Sequence, residues 1–586
     1  MKKLINFWAR LMIVILGVAV AMVSLVSCKK ESPQFQAPLF DNLGNYWVRT
    51  TTESQDAAKF FVQGLLMSYG FNHNESVRSF KEAIRLDSTY AMAYWGIAYA
   101  LGPNYNAAMD PGAKKEVEWA VKSAASLAKE VPLTGWEKVL IKSAEVKYLD
   151  AGDEPNLKEY ADFMEEASRR FPQNADILTF SAEAKMNLHP WDLYESKGGV
   201  ARPWTAEILT QLERSMKLEP DHPLANHLYV HAVEASSKPS DGYEAAEKLS
   251  KVVPGSGHLV HMPSHIYINT GDYHLGTIAN EQSVIVDSTY VAETRAQGVY
   301  PQLYYPHNYH FLTACAALEG RGAKSIESAY ALADIIDRNY LEKPGYETTQ
   351  HFLTIPYNVL VKFAQWEKIM ALKRPDEKYP YLQAIWHYSR GMAFANTEKM
   401  SLAKTELQSL ELIRDSNELK ELAIFDINTA QDVAEIAMRV LAAEIADKSD
   451  NKNEAIVFLK QAIEIESQLN YNEPPDWFFS VRHMLGDLYL RMDKYREAEN
   501  VYRKDLMTFP KNGFALNGLY HSLVKQLKSD EALKVLGEFK EAWKYSDSKL
   551  GYSRIDVDGR KDLAIKIKSN SPSDLIYLIA SFCGIR

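Results

Sequence analysis

The chain has 586 residues, with 66 Lys and Arg against 76 Asp and Glu and a formal net charge of −10. Proteins that bind nucleic acid present basic surfaces, so this acidic balance argues against a nucleic-acid partner. The length predicts several domains or one long repeat array. Only three cysteines are present, which is too few for a framework of disulfide bonds.

The N-terminus is typical of an export signal. A basic start is followed by an apolar stretch over residues 11–26, which is too short and too early to be part of the fold. The stretch ends in the letters LVSC at residues 25–28, which resemble the lipobox of bacterial lipoproteins, whose cysteine receives a diacylglycerol. The sequence therefore predicts a signal peptide over 1–27 and a lipid on Cys28. The alternative is a plain membrane-anchor helix that ends at a cysteine by chance.

Residues 28–55 predict a lipidated cysteine and a polar tether. The residue after Cys28 is Lys29, where many lipoproteins of the inner membrane have an aspartate. We therefore expect the lipid to anchor the protein in the outer membrane, facing the periplasm or the cell surface. Each buried methylene group contributes about 0.8 kcal/mol, and more than one acyl chain holds a protein stably.

The mature chain predicts an all-α fold of the tetratricopeptide type, an α-α superhelix (solenoid) with long loop insertions. Each unit of 34 residues has two helices, with small residues where the helices approach closely and bulky residues in the gaps. If Ala57 is the first position of a unit, Gly64 falls at a small position and Phe80 at a bulky one. Gly486 and Tyr502 repeat this spacing near the C-terminus. An irregular helical bundle is the alternative.

The matches to the repeat suggest domain boundaries. We predict an N-terminal array over 56–340, middle helical repeats over 341–435 and a C-terminal array over 436–550. The tail over 551–586 does not continue the repeat, and a Ser-Pro pair at 571–572 predicts the start of a helix within it.

Histidines cluster in the N-terminal array. Nine of the 15 lie between His222 and His310. In the repeat frame, seven of these and one glutamate fall on one face of three successive first helices, the face that lines the concave groove of such arrays. These candidate site residues are His227, His231, Glu234, His258, His261, His265, His307 and His310. The sequence therefore predicts a histidine-rich concave groove.

The spacing of the histidines is compatible with metal binding. His227 with His231 and His261 with His265 form two pairs one helical turn apart. We expect such pairs to face each other across neighbouring helices, where imidazole nitrogens can ligate one ion at about 2.0–2.1 Å. The donor set suits Zn, Cu, Fe or Ni and does not choose among them. The alternatives are a groove that binds a peptide or an acidic or sugar-like ligand without metal, and a structural role.

Several strings of residues resemble the signature of a family of large bacterial tetratricopeptide-repeat proteins. The strings are GFNH from Gly70, PWD from Pro190, HAVEAS from His231, GHLVHMPSHIY from Gly257, YPHN from Tyr305 and EPPDW from Glu473. The resemblance covers roughly residues 38 to 545 and implies the repeat fold. The family implies no activity, and the tail after 551 departs from it.

The leading interpretation is a membrane-anchored scaffold or binding lipoprotein, whose groove takes a protein partner or a small-molecule ligand with or without a metal ion. The alternatives are a metal-dependent enzyme of unknown reaction and a nutrient-binding lipoprotein of the outer membrane. No phosphate loop, Gly-x-Ser-x-Gly or His-Glu-x-x-His motif is present, so no catalytic residue is assigned. Tyr304 and Tyr305 fit no packing position of the repeat, and we expect them to wall a ligand pocket.

Overall fold

A computed structural model describes residues 37–196, 198–477 and 479–555. The chain divides into two units, 1–39 and 40–586, and all the helices and strands named here belong to the second unit. The predicted signal peptide, Cys28 and the predicted tail helix lie outside the described residues.

The described part of the second unit is built from α-helices. In chain order they are α1 (Gln55–Tyr69), α2 (His73–Leu86), α3 (Ala91–Ala100), α4 (Lys114–Glu130), α5 (Gly135–Tyr148), α6 (Leu157–Arg170), α7 (Ala175–Leu188), α8 (Thr205–Leu218), α9 (Pro223–Glu234), α10 (Tyr243–Val252), α11 (Gly257–His261), α12 (Pro263–Thr270), α13 (Tyr273–Thr294), α14 (Tyr305–Leu318), α15 (Gly322–Ile335), α16 (Thr348–Lys362), α17 (Trp366–Met370), α18 (Pro380–Asn396), α19 (Met400–Arg414), α20 (Asn417–Glu421), α21 (Ala430–Lys448), α22 (Lys452–Gln468), α23 (Arg482–Arg491), α24 (Tyr495–Thr508), α25 (Gly513–Lys525) and α26 (Ser529–Ala542).

Two short strands interrupt the helices. β1 (Ala423–Ile424) pairs with β2 (Asn428–Thr429) in an antiparallel hairpin, and Ala423 lies opposite Thr429. Among the helices described, none is long and apolar enough to cross a lipid bilayer.

Consecutive helices pack against each other along the chain, as in α1 with α2, α18 with α19 and α21 with α22. A helix pair cannot bury its apolar face alone, and stacking of neighbouring pairs produces a continuous core. The largest core cluster spans residues 43–304, and a second spans 381–535. The predicted all-α repeat fold is confirmed.

One packing arrangement occurs near both ends of the array. The ring of Tyr502 on α24 lies between Gly486 on α23 and Gly518 on α25, where an added Cβ would come within 2.4 and 2.2 Å of the ring. Phe80 on α2 lies in the same way between glycines of α1 and α3. The small and bulky positions of the repeat therefore allow three helices to approach closely around one aromatic ring.

Local sequence signals determine where several helices begin and end. Thr134 and Glu137 form a reciprocal capping box at the start of α5, as their spacing predicts. Gly271 ends α12 with a φ of 78°, a left-handed conformation that favours glycine. This turn directs the chain from α12 into α13, which packs against α11, α12 and α14. Helices α11, α12 and α14 carry residues of the candidate site, and α13 contacts all three.

Candidate metal centre

Six histidines and one glutamate meet where four helices pack together. The helices are held in place by the contacts of α9 with α12 and of α11 with α14. The members are His227, His231 and Glu234 on α9, His258 and His261 on α11, His265 on α12 and His307 on α14. We call the six histidines the histidine cluster. Because residues four apart share a helix face, α9 directs two imidazoles to the same side.

His227, His231 and His258 form a first triad. The Nε2 atom of His227 lies 3.2 Å from Nε2 of His231 and 3.1 Å from Nε2 of His258. Each residue offers one nitrogen within 4.8 Å of the other two. Nitrogens bound at about 2.0–2.1 Å to one tetrahedral ion would lie about 3.3 Å apart. Two of the three nitrogen separations in the first triad therefore match those of ligands on one metal ion.

Hydrogen bonds determine the tautomers in the first triad. Nδ1 of His227 lies 2.7 Å from the carbonyl oxygen of Tyr69, and Nδ1 of His231 lies 3.1 Å from Oε1 of Glu234. A carbonyl and a carboxylate only accept, so each Nδ1 donates its hydrogen and each Nε2 keeps a lone pair. Two lone pairs facing each other at 3.2 Å repel unless a cation lies between them.

His261, His265 and His307 form a second triad. The Nε2 atoms of His261 and His265 are 2.8 Å apart. The ring of His307 has its centroid 4.9 Å from that of His261 and 5.7 Å from that of His265. One nitrogen of each residue lies within 4.8 Å of the other two. The Nε2 pair again requires a cation between the nitrogens, either a proton or a metal ion.

Acceptors also orient the second triad. Nδ1 of His261 donates to Oδ1 of Asn280 at 2.8 Å, and the amide nitrogen of Asn280 donates to a backbone carbonyl, which fixes its orientation. Nδ1 of His265 contacts carboxylate oxygens of Glu234 at 2.6 Å and of Glu473 at 2.9 Å. Such partners behind the ligating ring are typical of metal-bound histidine, because they fix the tautomer and raise its basicity.

Glu234 connects the two triads, because one of its oxygens accepts from His231 and the other lies 2.6 Å from Nδ1 of His265 as an ion-pair contact. Burial opposes ionisation of Glu234, but His265 and His231 outweigh it and lower the pKa of Glu234 to about 2. Burial likewise disfavours a charge on His265, while Glu234 and Glu473 raise the pKa of His265 to about 9. The pair of carboxylates therefore supplies buried negative charge that compensates a cation in the second triad.

The other histidines of the cluster are held in the neutral form that binds metal. Burial is the largest cause of their lowered pKa, and neighbouring imidazoles add to it. The residues whose pKa lies well below the ordinary value are His227, His258, His261 and His307. The pKa of His231 is lowered by burial against the opposing effect of Glu234.

The cluster is largely buried, with His307 only partly so, whereas the sequence predicted a concave groove. Exposure is at most 3% for five of its members, His227, His231, His258, His261 and His265. Phe71 lies with its ring centroid 4.9 Å from those of His227 and His258, and Phe311 covers the second triad. Helical periodicity gives the face on which a residue lies, but Phe71 comes from a distant part of the chain and covers that face.

His310 is not part of the cluster. Its ring packs beside His351 and Phe352, with centroids 5.4 and 5.8 Å away. His307 and His310 are three residues apart on α14, a rotation that leaves about 60° between them. The difference directs the two rings to different neighbours.

Tyr304, just before α14, and Tyr305, the first residue of α14, contact different neighbours. Tyr304 lies against the first triad, with its ring centroid 5.3 Å from that of His258. Tyr305 packs against Tyr309 at 5.4 Å instead. Of the two tyrosines expected to line a ligand pocket, Tyr304 is therefore the one that contacts the histidine cluster.

Sequence reasoning missed the residues that contact the candidate ligands from behind. Glu473 lies in the EPPDW string but far from His265 in the chain, and no spacing rule connects the two. The carbonyl of Tyr69 is among the last four of α1, which have no partner within the helix. Asn280 is a buried polar residue on α13. A polar residue on an otherwise packed helix face was the one sequence feature that could have indicated its role.

The comparisons with known proteins concern the fold. Residues 436–469 and 479–506 match the family model described as tetratricopeptide repeat. No curated protein sequence matches the chain. The human IFIT1 dimer with m7Gppp-AAAA is 12% identical over 84% of this chain and 91% of that chain, with a TM-score of 0.28. The APC/C hetero-tetramer Cut9-Hcn1 is 13% identical over 84% of this chain and 74% of that chain, with a TM-score of 0.29.

These structural likenesses are too weak to transfer any function. The two segments that match the family model coincide with α21 to α24, and both fall inside the predicted C-terminal array. The chain therefore contains tetratricopeptide repeats within an all-helical array.

Proposed function

We propose that this protein is a repeat scaffold that holds two transition-metal ions in its histidine cluster, one in each triad. Tetratricopeptide arrays are scaffolds with extended surfaces that bind partners or ligands, and the metal would lie inside such an array. The observation that carries the proposal is the orientation of the imidazoles. Their Nε2 atoms face each other at 2.8–3.2 Å, while the opposite nitrogens of three rings donate to fixed acceptors and that of His265 lies against two carboxylates.

The free energy of burial supports this proposal. A buried polar atom without a partner costs about 1–3 kcal/mol. In the first triad, Nδ1 of His258 also has no hydrogen-bond partner in the described structure. One proton on His258 can satisfy only one of the two neighbouring Nε2 lone pairs. A metal ion would accept all three Nε2 lone pairs at once.

The donors restrict the kind of metal. Neutral imidazoles suit Zn, Cu, Ni and Fe, whereas Ca and Mg prefer oxygen ligands. The carboxylates of Glu234 and Glu473 lie behind His265, so they would compensate the charge of the ions without being required as ligands. We therefore propose a borderline transition metal as the natural occupant.

A metal-dependent enzyme is the second candidate function. The observation that favours it is that each triad offers three nitrogen ligands rather than four. Each triad offers three nitrogens, and catalytic metal sites typically have three protein ligands and one position for water or substrate. Because Phe71, Tyr304 and Phe311 pack directly on the imidazoles, such an enzyme would act on a small molecule.

The metal content tests the proposal. Protein made without a histidine tag and purified without chelator is expected to contain about two transition-metal ions per chain, because the two triads have separate sets of donors. Elemental analysis by mass spectrometry measures this number. A content below about 0.1 ion per chain, with no thermal shift on addition of Zn, Cu, Ni or Fe, would exclude the two-metal site.

We also propose that a lipid on Cys28 holds the array at the outer membrane, which the lipobox-like letters at 25–28 support. Cys28→Ser is expected to move the protein from the membrane fraction to the soluble fraction, because the acyl chains supply the membrane affinity. Fractionation followed by immunoblotting measures this. Cys315→Ser, at a buried cysteine of α14, is the control and should stay with the membrane. A Cys28→Ser protein that remains membrane-bound would contradict the lipid anchor.

A further inference from the structure

A second candidate site lies in a cavity of about 380 Å³ in the C-terminal half of the chain. The cavity is lined by α16, α18, α21, α23 and residues 551–555, and it shares no residue with the histidine cluster. Its walls are partly aromatic, with contributions from Tyr388, Trp477, Phe479 and Phe514. A cavity of this size accommodates a small organic molecule.

Lys362 ends α16 and points at a histidine in the wall of the cavity. Its Nζ lies 3.0 Å from Nδ1 of His483 and 3.6 Å from the centroid of the Phe514 ring. Nε2 of His483 lies 2.9 Å from Oδ2 of Asp505, which also accepts from the amide of Asn512 at 3.0 Å. The side chains form a relay from Asp505 through His483 to Lys362.

The relay determines where the protons lie. Asp505 is fully buried and His483 is 3% exposed, so their contact is shielded from water. Because Asp505 accepts from Nε2 of His483, Nδ1 keeps a lone pair toward Lys362. Burial lowers the pKa of Lys362 to about 7 against the attraction of Asp505, and Arg554 lowers it further. A substantial share of Lys362 is therefore a neutral amine near pH 7.

The other deeply placed cations of the cavity have carboxylate partners. Arg491 binds Asp447 at 2.6 Å, and Arg554 binds Glu444 at 3.0 Å. Lys362 differs because its partner is an imidazole whose Nδ1 lone pair faces it; burial lowers the pKa of His483, and Asp505 opposes this by favouring the protonated ring. A nucleophile next to a base, with the base oriented by a third group, is the arrangement of covalent catalysis.

We propose that Lys362 is a nucleophile that forms an imine with a carbonyl compound, an aldehyde or ketone with an aromatic or apolar body, bound in this cavity. His483 accepts a proton from the Lys362 ammonium, and the amine nitrogen attacks the carbonyl carbon. The C–N bond forms, the carbonyl oxygen leaves as water with two of the ammonium hydrogens, and the protonated imine remains. Charge and atoms balance without an oxidant or reductant.

Reductive trapping of the full-length chain tests this proposal. The protein is incubated at pH 7 with benzaldehyde and sodium cyanoborohydride, whose hydride converts an imine into a stable secondary amine, and peptides are quantified by mass spectrometry. We expect Lys362 to be labelled at least about tenfold faster than Lys452, because an ordinary lysine is almost fully protonated at this pH. Lys452 lines the same cavity, is 39% exposed and pairs with Asp450. Equal labelling rates would overturn the proposal without the need for any variant.

A conservative variant tests the role of His483. His483→Gln keeps an acceptor for Lys362 and a donor for Asp505 but does not carry a proton between them. We expect it to slow labelling of Lys362 by about tenfold or more and to shift the pH profile of labelling upward. His521→Gln, at a buried histidine outside the cavity, is the matched control and should leave both unchanged. An unchanged rate and pH profile in His483→Gln would overturn the role of His483 as the proton acceptor.

Discussion

Replacement of His261 and His265 together by asparagine is expected to lower the metal content from about two ions per chain to about one. The amide nitrogen of asparagine takes the place of the histidine Nδ1, so the hydrogen bond to Asn280 and the contact with Glu234 can persist. The Nε2 ligands of the second triad are lost, while the first triad keeps its own three nitrogens. Elemental analysis of the folded variant measures the change.

The reciprocal double variant completes this test. His227→Asn with His231→Asn should remove the other ion and leave the second triad filled. His521→Asn, at a buried histidine far along the chain, should leave the metal content at about two ions. If either double variant lost both ions, the cluster would be one centre rather than two. If neither lost any, the cluster would not be the metal site.

The sequence predicted the fold because repeats leave a periodic record. The small positions at Gly486 and Gly518 exist because the ring of Tyr502 occupies the space that a Cβ would need. The same spacing around Phe80 can be recognised without any structure. Capping signals such as Thr134 with Glu137 are local as well, so neighbouring residues suffice to predict them.

The repeat pattern in the sequence also predicted most of the residues that meet at the candidate site. Residues at equal positions of successive helix pairs lie beside each other when the pairs stack, so α9, α11 and α14 present their histidines to one region. His310 does not follow, because the pattern cannot show that His351 occupies the space beside it. The closing of the groove by Phe71 is a contact between distant parts of the chain, and helical periodicity carries no information about it.

Glu473 shows where the repeat argument ends. It reaches the cluster from the loop between α22 and α23, outside the stacked helices that the periodicity describes. Two carboxylates behind one imidazole are costly in an interior unless a cation compensates them. The contact of Glu234 and Glu473 with His265 therefore depends on tertiary packing and on charge balance, neither of which the repeat pattern records. Substitution of each carboxylate tests its role separately.

Glu234→Gln is expected to weaken metal binding at both triads, each by about 10–100-fold. One carboxylate oxygen accepts from Nδ1 of His231 and the other lies 2.6 Å from Nδ1 of His265, but glutamine offers one acceptor and one donor. One imidazole would then have to change its tautomer and turn Nε2–H toward the ion, where it cannot ligate. The loss of a buried negative charge also weakens the compensation of the metal charge.

The contrast with Glu473→Gln makes this prediction specific. Glu473 contacts His265 of the second triad, so its substitution should weaken the second triad and leave the first unchanged. Stepwise competition with a chromophoric chelator resolves the two affinities. Glu319→Gln, at a buried carboxylate that accepts from His274 outside the cluster, is the control. Glu234 is the carboxylate that accepts from His231 of the first triad. If Glu234→Gln left the metal affinity of the first triad unchanged, the link between the triads would be contradicted.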